Sequence, residues 1–508
     1  MTLSAAEIDG IITAAADDES ASARARWGVD MRRLLSALPE FEFEATCATP
    51  LTKLCAAGAR YGWRELEKNI DADVLENLSA KARASLRRNL RRDLAQITRP
   101  CFDLEWTSFG LAMASIGPAN RKPDPKSVER MFLGTGPGHR LLSLFKKFPV
   151  LARLWGQVLR HWREHVSEVL TRFEHDRRAL SRTFFAQQRI GKISDARFGL
   201  SDRHNSGRTV ARLQFEAGSI IYKPRSSAGE REWFSLQRWM NERGFRPKLR
   251  AVGLLPRKGY CWMEYVESAS LGNEAAARRF YQRMGGIIAA AHLLRAVDCH
   301  RDNLIASGEH PVLVDADALW HVVPLTKTES AADLLYRTGF FPNAYARSLQ
   351  SRSSILGPAA TGHHLPQLAG KPLAAARYPR EITRGFARAW RCILGTRRAR
   401  EAFARRLRRI RFTERRWIYR ATQTYASILD ASIQPAALRS ARERGLLIRG
   451  RCTRGPSEWV VTDAEVRALK QLDVPYFTSR ANRSLPPDRS AIPRRLIRAL
   501  SAALPNPR

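Results

Sequence analysis

The chain has 508 residues, 44% of them hydrophobic, enough for large buried cores and roughly two or three domains. Its 86 Lys+Arg against 49 Asp+Glu give a formal charge of +37, a surface that attracts polyanions such as nucleic acid, anionic membrane or an acidic peptide, although much of the excess is Arg, which a high-GC genome also inflates. Seven scattered cysteines without a C-x-x-C pair argue against a disulfide framework and a structural zinc site, the acidic N-terminal stretch argues against a signal peptide, and no apolar run approaches the roughly 18–20 residues of a membrane span, so a soluble cytoplasmic protein is expected.

Residues 1–190 read as helical. Leu151, Trp155, Val158, Trp162, Val166, Val169 and Phe173 recur at spacings of three and four, which draws one apolar helix face. The "GTGPG" at 134–138 lacks the Gly-Lys-Ser/Thr that would follow in a phosphate loop and is read as a plain loop. Near residue 195 the character changes. "TVARLQF" and "SIIYKPR" are short β-rich segments joined by "EAG", a hairpin with Gly218 in its turn, and "YCWMEYV" at 260–266 is a further strand. A helix from "NEAAARRF" onward leads into "DCHRDNLIASGEHPVLVDADAL" at 298–319, in which "PVLVD" reads as a strand. Beyond 325 the chain is loop-rich to about 380 and then helical; "RRAREAFARRLRRIRF" is amphipathic through Phe403, Leu407 and Ile410, with an Arg face read as solvated.

Phosphoryl transfer from ATP needs a cation on the phosphates, Mg²⁺ held by carboxylate or amide oxygens, and a carboxylate near the attacking hydroxyl. Asp298 and Asn303 reproduce the D-x-x-x-x-N interval of a kinase catalytic loop, Asp315 ends an apolar strand where a metal-binding carboxylate belongs, and Lys223 closes the hairpin where a phosphate-pairing lysine belongs. A solvated strand-end lysine and a turn carboxylate are the bland alternatives for Lys223 and Asp298. His300 is read either as catalytic or as a loop-holding residue, and Asp202, His204 and Arg208 in "SDRHNSGRTV" read on pattern alone as a polar turn.

"SDRHNSGRTV", "IIYKPRS", "YCWMEYV", "RFYQRMG", the 298–319 block, "RRWIYRATQTY" and "DVPYFT" occur in an order that resembles the dehydratase domain of class II lanthipeptide synthetases, the LanM type, over residues 148–477. The resemblance implies an α+β fold with a lipid-kinase-like bilobal catalytic core and extensive added N-terminal and C-terminal helices. The expected segments are a helical region at 1–190, the kinase-like core at 191–325, activation-segment-like loops and a helix at 326–395, and a C-terminal helical region at 396–508. It implies ATP- and Mg²⁺-dependent phosphorylation of Ser and Thr in a precursor peptide, then phosphate elimination to dehydroalanine or dehydrobutyrine. Lys223, Asp298, His300, Asn303 and Asp315 match that family's kinase-site positions, with Lys223, Asn303 and Asp315 toward the nucleotide and Asn303 and Asp315 toward Mg²⁺. Asp202 and His204 match a polar motif above the site, and Arg416 and Thr422 match an Arg and a Thr implicated in elimination; without the resemblance, Arg416 reads as a surface arginine in a basic segment.

Several positions depart from the family. Cys261 stands where Gly is usual, Asp317 where Glu is expected, and Arg352 where Asp is typical, the last bearing on how a substrate loop is positioned. With 31 residues after Phe477 and no Cys beyond Cys452, a zinc-dependent cyclase is not expected, so a stand-alone dehydratase is anticipated, acting with a separate cyclase or in a pathway that needs dehydrated residues alone. The basic surface fits an acidic leader segment of the precursor peptide. A phosphotransferase without elimination, acting on a peptide, lipid or small molecule, and a non-catalytic basic protein binding leader peptide or nucleic acid are the alternatives; no nucleic-acid motif supports the latter.

Overall fold

The computed structural model describes residues 3–16, 21–43, 47–116, 124–319, 335–341, 356, 365–410, 413–453, 462–479 and 498. Arg352 and most of the stretch from 320 to 364, with it the expected activation-segment loops, lie outside the described residues. The fold is mixed α+β, as anticipated, with long helices and small antiparallel sheets. The chain forms two compact units: Met1–Pro224 with Arg420–Pro475, and Arg225–Tyr419 with Tyr476–Arg508.

The first unit is built mainly on helices. Pro50–Glu67, Pro125–Leu133, Pro137–Lys147 and Pro149–Phe184 each begin on a proline, whose missing N–H falls where no intrahelical partner exists. All seven apolar positions predicted to share a face of Pro149–Phe184 are buried. That helix packs on Ala80–Ile116, and Trp155 Nε1 donates to Thr98 Oγ1 at 2.8 Å, so the indole enters the core with its polar edge satisfied. The "GTGPG" stretch joins two helices, with Gly134 ending one and Pro137 starting the next.

Three antiparallel strands follow: β1 (Asp195–Arg197), β2 (Ala211–Phe215) and β3 (Gly218–Lys223). The hairpin is as expected, except that Gly218 pairs with Phe215 and opens β3 with a φ of +139°. Helices Thr422–Ser432, Pro435–Leu438, Ala441–Thr453 and Thr462–Lys470 return to this unit around a small core of Tyr425, Ile428, Ile448, Cys452, Val466, Leu469 and Val474.

The second unit opens with helix Ala228–Glu242 and the hairpin β4 (Leu254–Arg257) and β5 (Tyr260–Glu264). Cys261, where Gly was the family's habit, is fully buried in β5. Helix Glu274–Leu293 is capped by Asn273, which accepts from Ala276 N–H at 2.9 Å. It lies so close to helix Pro379–Leu394 that a Cβ at Gly385 would sit 1.8 Å from the Gln282 carbonyl oxygen, and one at Gly285 2.0 Å from that of Ile382. Beyond come the hairpin β6 (Leu304–Ser307) and β7 (His310–Leu313), the two-residue strands β8 (Gln367–Leu368) and β9 (Lys371–Pro372), and the basic helix Arg397–Ile410. That last helix buries Phe403 and Ile410, while Arg406 leaves the solvated face to donate to Ser235 Oγ at 2.7 Å. Strands β10 (Arg415–Trp417) and β11 (Phe477–Ser479) pair with Arg416 opposite Thr478.

Candidate active site

The second unit brings Asp298, His300, Asn303, Asp315 and Arg416 together. Helix Glu274–Leu293 ends just before the motif, and Asp298 takes a left-handed φ of +65°. Asp tolerates that conformation better than most residues, at a cost of about 1 kcal/mol. Its carbonyl accepts from Asn303 Nδ2 at 2.8 Å, so the Asp and Asn of the predicted interval clasp each other across a 3₁₀ turn at Arg301–Asn303. Asn303 O in turn accepts from Val314 N–H at 2.9 Å, which sets the residue before Asp315 against this turn. Strand β7 stops at Leu313, two residues short of Asp315.

His300 Nδ1 accepts from Asp302 N–H at 3.3 Å, leaving Nε2 3.4 Å from Asp298 Oδ1. Burial alone would lower the imidazole pKa, but Asp298, Asp302 and Asp315 outweigh it and hold the ring above its ordinary value. Arg416 Nη1 lies 3.8 Å from Asp298 Oδ2, its backbone N–H donates to Asp317 O at 3.1 Å, and its guanidinium covers the Tyr476 ring at 5.5 Å. Burial would depress this guanidinium too, yet Asp317, Asp298 and Asp315 raise it above the usual value. Arg416 is thus a largely buried member of an acidic pocket rather than a surface arginine.

Three side chains without a role assigned from the sequence join them. Arg225 pairs with Asp315, meets Glu230 Oε1 at 2.7 Å, and places Nε 3.4 Å from Asp317 Oδ2. Burial raises the Asp317 carboxyl, against the pull of Arg225. With all groups ionised, the four carboxylates Asp298, Glu230, Asp315 and Asp317 face two guanidiniums, Arg225 and Arg416, leaving a local charge of −2 inside a chain of +37.

Among the described residues no group of three or more His, Cys, Asp or Glu is arranged to hold a metal. Mg²⁺, however, typically takes one or two carboxylates together with substrate phosphates. Asn303 and Asp315 supply hard oxygen donors, and the buried Asp317 Oδ2 has no hydrogen bond. This donor set fits Mg²⁺.

Asp202, His204, Lys223 and Thr422 belong to the first unit. Lys223 is buried at the end of β3, Asp202 is exposed, and Thr422 begins helix Thr422–Ser432. Asn205, Ser206 and Gly207 are all left-handed, with φ of +47°, +70° and +76°. Asp473 holds this turn by accepting from Ser206 N–H at 2.6 Å and Gly207 N–H at 2.9 Å, while His204 Nδ1 lies 2.6 Å from Val474 O. Arg208 is drawn the other way, donating from Nε to Glu168 at 2.9 Å. The predicted polar turn is therefore real and anchored on two sides. Beside it a cavity of about 360 Å³ is lined by Asp202, Arg203, Trp162 and Leu429, among others. The buried His161 and His165, also in its wall, are pushed down to about 3 and about 4 by burial and stay neutral.

Residues 148–362 and 356–480, more than half of the chain, match a family described as Domain of unknown function (DUF4135). The chain belongs to the DUF4135 family. Both clusters described above fall within the matched residues of this DUF4135 chain. Over 189 residues it is 24% identical to the Lacticin 481/lactococcin biosynthesis protein LcnDR2 of Lactococcus lactis subsp. lactis, a stretch covering 36% of this chain and 20% of that protein. The DUF4135 chain thus matches about a fifth of that relative's length. No helix among the described residues is long and apolar enough to cross a membrane.

Proposed function

We propose that this protein is a lanthipeptide-type Ser/Thr dehydratase with a lipid-kinase-like core, using ATP and Mg²⁺ to phosphorylate a ribosomally made precursor peptide and then eliminating the phosphate. The observation that carries it is the approach of the largely buried Arg416 guanidinium to the half-buried Asp298 carboxylate, 3.8 Å apart. A kinase site needs the carboxylate; a buried arginine beside it suits a reaction in which phosphate must also depart. The similarity to a protein named for lacticin 481 and lactococcin biosynthesis supports a peptide substrate.

In the first step Asp298 accepts the proton of the Ser or Thr hydroxyl while its oxygen takes the γ-phosphoryl group and ADP leaves. His300, at 3.4 Å, orients that carboxylate. Asn303 and Asp315 would hold Mg²⁺, which supplies charge neutralisation at the phosphates. In the second step a base removes the Cα proton, the Cα–Cβ double bond forms, the Cβ–O bond breaks, and Arg416 stabilises the departing phosphate through charge-assisted hydrogen bonds. The resemblance alone assigns Lys223 to phosphate pairing, Thr422 to elimination, and Asp202 and His204 to the family's polar motif. A separate cyclase or other tailoring enzyme would act on the product.

The test is incubation with the precursor peptide encoded beside the gene, ATP and Mg²⁺, followed by mass measurement of the peptide. Loss of water supports dehydration, and a stable added phosphate would identify a kinase without elimination. Arg416→Ala should convert water loss into accumulated phosphopeptide, with elimination slowed at least about 100-fold, the scale on which a preorganised donor acts; water loss at the normal rate would overturn the role given to Arg416.

A further inference from the structure

Arg225 takes no part in the chemistry above, yet three carboxylates converge on it. Glu230 meets it from the first turn of helix Ala228–Glu242 with no side-chain surface exposed, while Asp315 and Asp317 meet it from the segment after β7. A second observation fixes this arrangement through the backbone. A Cβ on Gly229 would lie 2.4 Å from Ala316 O and 2.9 Å from Asp317 Cα, so the start of that helix rests directly on the segment bearing both aspartates.

Burying an arginine among carboxylates carries a desolvation cost of several kcal/mol per ion, and apolar residues of the same volume often stabilise as well or better. Two carboxylates two residues apart repel each other, and a cation paired with both offsets that repulsion. The planar guanidinium fork can do so, and an ammonium cannot with the same geometry. We propose that Arg225 is a positioning residue. With Glu230 and Asp315 both on its Nη2 and Nε facing Asp317 Oδ2 at 3.4 Å, it holds Asp315 and Asp317 side by side in the geometry that phosphoryl transfer requires, and leaves Arg416 for the phosphate. The role of Asp315 in this statement rests on the dehydratase reading.

The test uses the full chain and three variants: Arg225→Lys, which keeps the charge without the fork; Glu230→Gln, which removes that carboxylate; and the double variant Arg225→Met with Glu230→Gln, which removes a buried charge from each side. Urea midpoints report folding, titration with Mn²⁺ and ADP followed by electron paramagnetic resonance reports metal affinity, and the peptide assay separates kcat from KM. The variants should fold, yet lose about 10–100-fold in Mn²⁺ affinity and in kcat for phosphorylation, with KM for the peptide unchanged. Normal Mn²⁺ affinity and kcat in a folded double variant would overturn the inference, leaving Arg225 as no more than the counter-ion of Glu230. If the wild-type chain binds Mn²⁺ with ADP while the variants bind equally tightly, this inference alone falls. If the wild type binds neither and phosphorylates no peptide, the dehydratase reading falls with it.

Discussion

Asp473 is buried, and its carboxylate holds a run of three left-handed residues by two backbone N–H groups. Two hydrogen bonds to an ionised acceptor are worth about 3–6 kcal/mol together. Against them stands burial, which pushes the carboxyl up from 3.8 to about 6 despite the Ser206 and Gly207 amides and the nearby Arg203 and Arg208. That rise amounts to about 3 kcal/mol at neutral pH. Asp473→Ala should therefore cost only about 0–3 kcal/mol at pH 7, since losing the bonds is partly offset by removing a buried charge. Because the folded state keeps the Asp473 proton to higher pH than the unfolded chain, this group's contribution falls as pH rises through the window from 3.8 to about 6 and is flat above it. The cost of Asp473→Ala should thus be about 2 kcal/mol larger at pH 4.5 than at pH 7. Urea unfolding of both proteins at the two pH values measures it. A cost that is the same at both, within about 0.5 kcal/mol, would refute the balance of burial against hydrogen bonding drawn here.

Two further outcomes follow from the geometry. Asp298→Gly should leave stability unchanged or higher by up to about 1 kcal/mol, because glycine accepts the left-handed φ freely, while phosphorylation of the peptide disappears; a folded variant with normal phosphoryl transfer would remove Asp298 from the reaction. Gly385→Ala should destabilise the second unit by more than about 2 kcal/mol, read as a lowered urea midpoint, since the methyl would collide with the Gln282 carbonyl and a backbone atom cannot move aside cheaply.

Much of the frame could be read from local pattern. The face of Pro149–Phe184 was visible because a helix repeats its buried positions within a few residues, and the β2–β3 hairpin because its turn is two residues long. The clasp between Asp298 and Asn303 was visible for the same reason: its partners are five residues apart. What escaped pattern was long-range. Nothing in "YKPRSS" distinguishes Arg225 from dozens of other arginines until Glu230 and the 315–317 segment close around it. Nor does "DVPYF" announce that its aspartate ties down a turn more than 260 residues earlier. Read alone, Arg416 looks like a surface residue because its neighbours are basic; its backbone bond to Asp317 draws it in. Arg416 and Thr422, six residues apart, nonetheless belong to different units, a partition that sequence distance does not suggest.

The division of the chain into units has a consequence for how the protein is made. The first unit is not finished when its helices and β3 have been synthesised, because its remaining residues, Arg420–Pro475, come only after nearly two hundred residues of the other unit. At about 5–20 residues per second, a nascent chain that has completed Pro224 waits roughly 10–50 s before Pro475 appears. During that interval helices Ala80–Ile116 and Pro149–Phe184 lack Pro435–Leu438, which packs on both in the finished unit. The ribosome therefore presents a long-lived apolar surface. Heterologous yield should depend on low temperature and chaperone supply more than on the stability of the finished protein.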